Sequence, residues 1–195
     1  MLDAAAREKY RTLLDLSDAY SQPRVHPDNA KYNSFKTAFG GFISHVMLQG
    51  DTNAPSTFMR VIEDLLSEYL NDFVWVYIDD ILIFSDTLEE HIEHVTKVCQ
   101  KLAEAKFYAS PEKSKFLADK PELLGHVITS KGIETSPDRV KSITDWTIPI
   151  NQKELQRFLG VINFVSQFLP HYASIIAPLT NLTGNAEFIW TETHT

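Results

Sequence analysis

The chain has 195 residues, 44% of them apolar, which is enough for one real core or for a domain with an appended subdomain. Its formal net charge is −8 and it carries one cysteine, Cys99, so an internal disulfide framework is excluded and a reducing compartment is expected. No run approaches the ~18 apolar residues of a membrane span. The N-terminal stretch MLDAAAREKYRTLL carries charges throughout and lacks a signal-peptide apolar block. These features predict an intracellular protein, cytoplasmic or nuclear, with no membrane partner. The acidic balance argues globally against nucleic acid, which favours a basic footprint. The charge is unevenly spread, however. Val61 to Thr96 holds ten acids and no Lys or Arg, whereas Lys97 to Lys141 holds nine basic residues against six acids. That polarity leaves room for a cation-binding centre and a separate phosphate-tracking surface. An acidic protein with ordinary solvated helices accounts for most of these charges equally well.

Arg11 to Leu16 reads as a short buried strand with Asp15 near its end. The runs NSFKTAF and FISHVM, joined at Gly40-Gly41, form a hairpin signal. Asn53 and Pro55 open a helix expected from Ala54 to Leu70, with Phe58, Ile62, Leu65 and Tyr69 at helical spacing. Phe73 to Ile78 and Ile81 to Phe84 have strand character. Thr87 and Glu90 stand at capping-box spacing and open a helix from Leu88 to Ala105. His91 and His94 on that helix have no Cys or third His nearby, so they read as solvated residues and not as a zinc site. Short strands follow at Glu122 to Ile128 and after Gly132. Ser136-Pro137 and Asn151 open further helices, Pro170 breaks the second, and a last one is expected from Tyr172 to Leu182. Phe188 to Trp190 has strand character and reads as the start of a following domain. The pattern predicts an α+β fold, an antiparallel sheet with helices on one face followed by a small helical subdomain, divided near Glu134 to Pro137.

The run FVWVYIDDILIFS holds two adjacent carboxylates, Asp79 and Asp80, inside apolar sequence where one strand turns into the next. Neighbouring like charges repel, and desolvation disfavours both ionised forms. A divalent cation would relieve that cost. Asp is also a favoured turn residue, and an exposed Asp-Asp turn needs no metal, so both readings stand. A two-metal phosphoryl-transfer site needs carboxylates from separated elements to converge. Asp15 at one strand end and Asp79-Asp80 at a hairpin tip supply them if the strands are neighbours. Asp18 lies one turn further on, where it could instead cap the next segment. Spacing alone leaves a polymerase palm and a nucleotide cyclase both open.

LLDLSDAY, GDTNAPSTF, VYIDDILIFS, SPEKSKF and LLGHVITSKGI, in that order, resemble the successive motifs of the reverse transcriptases of gypsy-type LTR retrotransposons. LGVINFVSQFLPHYASIIAPLTNLT resembles their helical thumb and connection. The resemblance implies a palm with residual fingers over 1–134, a thumb/connection over 135–183, and the start of an RNase H-like domain over 184–195. It implies Mg²⁺, with Mn²⁺ an alternative, held by Asp15, Asp79 and Asp80. Tyr20 matches the aromatic residue under the incoming sugar; a core aromatic is the alternative reading. Gln49 and Gly50 match contacts to the nascent base pair and template. Lys113 lies near the lysine that protonates pyrophosphate, although a solvated pair with Glu112 reads as well. Leu124, Gly125 and His126 match the hairpin that holds the primer terminus. The implied partners are an RNA or DNA template with its primer and deoxynucleoside triphosphates; oligomeric state is left open.

Three departures qualify the resemblance. Only fourteen residues precede Asp15, where the family has a long fingers segment with basic residues that grip the triphosphate. Met47-Leu48-Gln49-Gly50-Asp51-Thr52-Asn53 stands where the family has Met-Pro-Phe-Gly-Leu-Thr-Asn, so Asp51 adds a negative charge. Pro23 replaces an apolar strand residue and removes a backbone donor. Two expectations follow: a reverse transcriptase palm and thumb, or a noncatalytic remnant that keeps the fold and binds nucleic acid or protein. A cyclase is disfavoured by the thumb-like tail.

Overall fold

A computed structural model describes residues 2–184, 188–191 and 194. The described chain divides into two compact units, residues 1–123 with 128–133, and residues 124–127 with 134–195. Each is described by itself.

The first unit is built on a four-stranded antiparallel sheet. Its strands are β1 (Tyr10–Leu16), β4 (Val74–Tyr77), β5 (Asp80–Ser85) and β6 (Ala109–Lys115), in the order β4-β5-β1-β6. Alternation along β1 sends Leu14 and Leu16 to one face and Leu13 to the other. The first face packs on two helices, α2 (Ala54–Leu65) and α3 (Leu88–Glu104). Phe58, Ile62 and Leu66 from the α2 side and Val98 and Leu102 from α3 meet Leu14, Val76, Ile81 and Ile83 there. Each such fully buried side chain contributes about 1.5–3 kcal/mol. On the second face Leu13, Leu82 and Phe84 pack with Leu123, Ile128 and the alanines of a short helix, α1 (Leu2–Arg7). The two long helices therefore share one face, as the pattern predicts, and α1 is an addition to it. A buried Arg11 closes α1: its guanidinium donates to the carbonyls of Ala5 (2.7 Å), Ala6 (2.8 Å) and Glu8. A cation at a helix C-terminus satisfies carbonyls that have no partner within the helix.

Local signals explain most element ends. The Thr87 capping box is complete, with Glu90 N–H donating to Thr87 Oγ1 and Thr87 N–H to Glu90 Oε2. The α2 helix ends at Leu65, five residues short of the expected Leu70, where the chain turns back through Leu66–Asp72. The hairpin β2 (Ser34–Thr37) and β3 (Gly40–Ile43) turns at Ala38-Phe39, so the glycines open β3 and do not form the turn. The expected strand Glu122 to Ile128 is split into β7 (Glu122–Leu123) and β8 (His126–Thr129). Leu124 and Gly125 break it with φ +55 and +74. Together with β9 (Gly132–Thr135) these form a three-stranded sheet.

The second unit contains α4 (Pro137–Thr144), α5 (Gln152–Asn163) and α6 (Tyr172–Asn181). Ser136 and Asn151 cap the first two through their side chains. Leu155, Ile162 and Val165 are among its buried apolar residues. Phe188–Trp190 has no strand in the structure, and the rest of the proposed RNase H-like start, residues 185–187, 192–193 and 195, lies outside the described residues.

The reading of His91 and His94 as solvated is overturned. His91 is 1% exposed. Its Nε2 shares a hydrogen bond with Thr12 Oγ1 (2.8 Å) and its Nδ1 with Ser85 Oγ (2.9 Å). His94 Nδ1 also reaches Ser85 Oγ (2.9 Å), and its ring stacks on Phe73. Spacing hid this because Thr12 is far away in sequence and meets α3 only through the sheet. Burial, then His94, pushes the His91 imidazole below its ordinary value. The unfolded chain therefore takes up a proton first as pH falls below about 6.5, so this group's share of stability is lost on acidification. We predict that His91→Gln flattens that fall in thermal unfolding midpoint between pH 7 and 5. Thr12→Val, which strands a buried ring nitrogen, should lower the unfolding free energy by about 1–3 kcal/mol in urea titration without changing the slope.

Candidate active site

The ladder between β1 and β5 runs Tyr10↔Ser85 to Asp15↔Asp80, so Asp15 and Asp80 are direct cross-strand neighbours. Both point to the face away from α2 and α3, the face shared by Leu13, Leu82 and Phe84. Asp79 sits beside them in the two-residue turn Ile78-Asp79 between β4 and β5, since Tyr77 pairs with Asp80. Leu16 N–H donates to the Asp79 carbonyl (2.8 Å) and ties the turn to the end of β1. The three acids expected from sequence are thus brought together at one end of the sheet.

The turn is strained. Ile78 has φ +52, in the left-handed region where a β-branched residue is a genuine outlier. A primed hairpin turn demands a positive φ at its first loop position. Met59 Sδ accepts the Ile78 N–H (2.7 Å), and Ile78 packs on the core. Such strain, of order 1–3 kcal/mol, persists where surroundings over-determine it and clusters at functional sites.

On its other side β1 pairs with β6 through an irregularity. Leu13 pairs with Lys115 but Asp15 pairs with Ser110, so residues 111–114 bulge from the ladder. Two side chains of the bulge reach Asp15. Ser114 Oγ accepts the Asp15 N–H (3.1 Å), and Lys113 Nζ stands 3.6 Å from Asp15 Oδ1. Lys113 therefore pairs with the candidate metal ligand, while Glu112 is engaged by Ser110 Oγ (3.1 Å).

The electrostatics are those of an unfinished site. Asp15 Oδ1 is buried and accepts no hydrogen bond, and the Lys113 ammonium lies beyond hydrogen-bond length. Asp80 is pushed up to about 6, first by burial, then by Asp79 and Asp15, with Lys115 opposing. An orphaned oxygen next to a carboxyl that resists ionisation is the donor set a hard cation would satisfy. Among the described residues no three acidic, His or Cys side chains form a ready-made metal cage.

The other expected residues are distributed as follows. Tyr20 follows β1, half-buried, with its ring edge-on to Phe58 (5.7 Å) against the core. Gln49 and Gly50 are exposed in the turn before α2, where Gly50 takes φ +103. No hydrogen bond or ion pair joins these two residues to the acids. Asp51 Oδ2 accepts the Leu48 N–H (3.2 Å) and closes that turn. Asp18 precedes the 3-10 turn Ala19–Ser21 in a left-handed conformation, without a side-chain cap bond. Leu124, Gly125 and His126 belong to the second unit. There His126 stacks on Phe164 (4.5 Å), and Arg139 stands 4.7 Å over the same ring. Burial, then Arg139, lowers the His126 imidazole. Sequence reasoning missed Ser114, Met59 and Lys115. Ser114 and Lys115 lie within the motif SPEKSKF, but only the bulge shows their direction.

Ionised Asp80 costs folding free energy above pH 6, because the folded state holds its proton more tightly than the unfolded chain does. Asp80→Asn should therefore raise the unfolding midpoint relative to wild type at pH 8, with the difference vanishing near pH 4. Millimolar Mg²⁺ should narrow the gap by stabilising wild type alone. A midpoint difference independent of pH would contradict the assignment.

A family model described as reverse transcriptase (RNA-dependent DNA polymerase) matches residues 1–128. The chain is 35% identical over 182 residues to the retrovirus-related Pol polyprotein from transposon opus of Drosophila melanogaster, covering 93% of this chain and 18% of that one. It is 34% identical over 185 residues to the transposon Tf2-3 polyprotein of Schizosaccharomyces pombe, covering 94% and 14%. It thus spans less than a fifth of either polyprotein. Among solved structures, the foamy viral protease-reverse transcriptase dRH in complex with double-stranded DNA matches with a TM-score of 0.89 at 32% identity, over 96% of this chain and 33% of that one. The same viral enzyme in complex with an RNA/DNA hybrid matches at 0.85 and 31% identity, over 99% and 27%. The antiparallel sheet and the helices behind it form a reverse transcriptase palm, and the chain belongs to the reverse transcriptase (RNA-dependent DNA polymerase) family.

Proposed function

We propose that this chain is the palm and thumb portion of a gypsy-type LTR retrotransposon reverse transcriptase, which extends a primer on an RNA or DNA template with deoxynucleoside triphosphates. The observation that carries the reading is the register Asp15↔Asp80 with Asp79 in the adjoining turn, three carboxylates on one open sheet end. The orphaned Asp15 Oδ1 and the raised Asp80 carboxyl support a cation there. The Drosophila and fission-yeast transposon relatives support the retrotransposon origin, and the nucleic-acid complexes of the foamy viral enzyme support a template-primer partner.

The reaction joins the primer 3′-oxygen to the α-phosphorus of a deoxynucleotide and releases pyrophosphate. Asp15, Asp79 and Asp80 would hold Mg²⁺ or Mn²⁺, which supplies charge neutralisation at the attacking oxygen and the triphosphate. Asp15 and Asp80 are fixed by the ladder, so little reorganisation is needed when charge develops. Lys113, whose Nζ stands 3.6 Å from Asp15 Oδ1, would pass a proton to the leaving pyrophosphate. Tyr20, braced on Phe58, would lie under the sugar and exclude a ribose 2′-hydroxyl. Gln49 and Gly50 would meet the template base, and the turn at Leu124 and Gly125, with His126 anchored on Phe164, would hold the primer end.

Primer extension on matched RNA and DNA templates, with Mg²⁺ and with Mn²⁺, tests this. We expect Asp79→Asn to lower incorporation by about 10³-fold or more while leaving the circular dichroism spectrum unchanged. We expect Lys113→Met to cost about 10²-fold, with little change in apparent nucleotide affinity. Equal incorporation by wild type and Asp79→Asn, or none by wild type on either template, overturns the polymerase reading.

A further inference from the structure

One side chain holds the segment that leaves β1. Leu16 pairs with Ala109 on β6, and Ser17 N–H donates to the Tyr108 carbonyl (3.0 Å), one rung further along the ladder. The chain then turns away. Asp18 takes φ +42, and Ala19–Ser21 form the 3-10 turn that carries Tyr20 at its centre. Gln22 comes back to the rung the turn has left. Its Oε1 accepts the Tyr108 N–H (2.7 Å), and its Nε2 donates to the carbonyls of Tyr108 (3.0 Å) and Ser17. The carboxamide therefore acts as one more residue of β1, pairing in both directions with a backbone 86 positions away. A carboxamide suits that place because it both donates and accepts.

The backbone at Gln22 needs this hold. Gln22 lies at φ −84 and ψ −45, in the α region, directly before Pro23. The ring of a proline pushes the preceding residue out of that region towards extended backbone. The turn's own bonds, Ser21 N–H to the Asp18 carbonyl (2.8 Å) and Gln22 N–H to the Ala19 carbonyl (3.3 Å), close it locally. They do not set where it lies against the sheet. Tyr20 is thus constrained from two sides: its ring rests edge-on against Phe58 (5.7 Å), and its backbone is tied to β6 through Gln22. A ring that excludes a hydroxyl by contact is sensitive to its own position, since a misplacement of about 1 Å can change a rate about 10²-fold.

We propose that Gln22 is a positioning residue for sugar selection: it fixes the turn that carries Tyr20 to the β1–β6 ladder and so sets how strongly a ribose 2′-hydroxyl is rejected. The proposal rests on the polymerase reading, in which Tyr20 lies under the incoming sugar, and adds a residue that acts through Tyr20 and not on the nucleotide.

The experiment compares kcat/KM for a deoxynucleotide and its matching ribonucleotide in primer extension with Mg²⁺, by the 195-residue chain and its variants. Gln22→Leu should lower the deoxy-to-ribo ratio by about tenfold or more. Gln22→Glu, of equal length, should do the same, because a carboxylate accepts the Tyr108 N–H but donates to neither carbonyl. Adding Pro23→Ala to Gln22→Leu should recover part of the loss, since the turn then no longer opposes its own conformation. Tyr20→Val should lower the ratio by itself, and Gln22→Leu in that background should leave it there, the non-additivity of residues that act as a unit. A role in folding alone would lower both rates together and keep the ratio. A ratio unchanged in both Gln22 variants, or a drop of equal size with and without Tyr20, overturns this inference while the polymerase reading stands. No incorporation by wild type overturns that reading and this inference with it.

Discussion

Two carboxylates placed opposite one another on adjacent strands repel, and a sheet normally avoids that pairing. Here Asp15 and Asp80 occupy it, half-buried, with Asp79 one residue away. The rest of the first unit can be understood as what holds this arrangement in place. Behind the ladder, His91 grips Thr12 on β1 and Ser85 on β5, the two strands that carry the acids. Beside it, the β6 bulge supplies Ser114 to the backbone of Asp15 and Lys113 to its carboxylate. At the turn, Leu16 holds the Asp79 carbonyl and Met59 holds the strained Ile78 amide. None of these contacts cancels the repulsion. They keep the strands from relieving it by slipping or fraying, and so store a site whose electrostatics improve when positive charge arrives.

The division of labour between sheet faces follows from the same constraint. Leu14, Leu16, Val76, Ile81 and Ile83 supply one continuous apolar surface for α2 and α3. Acids on that face would be buried without partners. Among the described residues the opposite face packs on α1 with Leu123 and Ile128, and Trp75 lies against the same cluster. At its Asp80 end, Asp79 is exposed and Asp80 half-buried.

What could be read from sequence sorts by range. The Thr87 and Ser136 caps, the Asn151 cap and the Asp79-Asp80 hairpin depend on residues a few positions apart, and period and propensity reveal them. The convergence of Asp15 with the pair was legible only as a condition, that their strands be neighbours, which the ladder meets. Features that need a long-range partner were missed or misread. His91 looked solvated because Thr12 lies 79 residues earlier. The β6 strand was read only as a motif, since its period is broken where residues 111–114 leave the ladder. The glycines at 40 and 41 looked like a turn, but a two-residue loop one step earlier satisfies the register Phe35↔Phe42. The α2 helix stopped early because tertiary packing of Leu66 and the following turn overrides a pattern that continues to Tyr69.

Net charge is a poor guide to partners when charge is segregated. The −8 of the whole chain would discourage a polyanion, yet ten of its acids fall within Val61–Thr96, most of them on or beside α2 and α3. The stretch from Arg24 to Gly50 holds a single acid, and Asp28 there already faces His26 at 3.6 Å. A bare cluster of carboxylates repels phosphate, and a divalent ion bound there would change the local sign. An acidic sheet end and a basic stretch with an exposed aromatic hairpin therefore share the first unit.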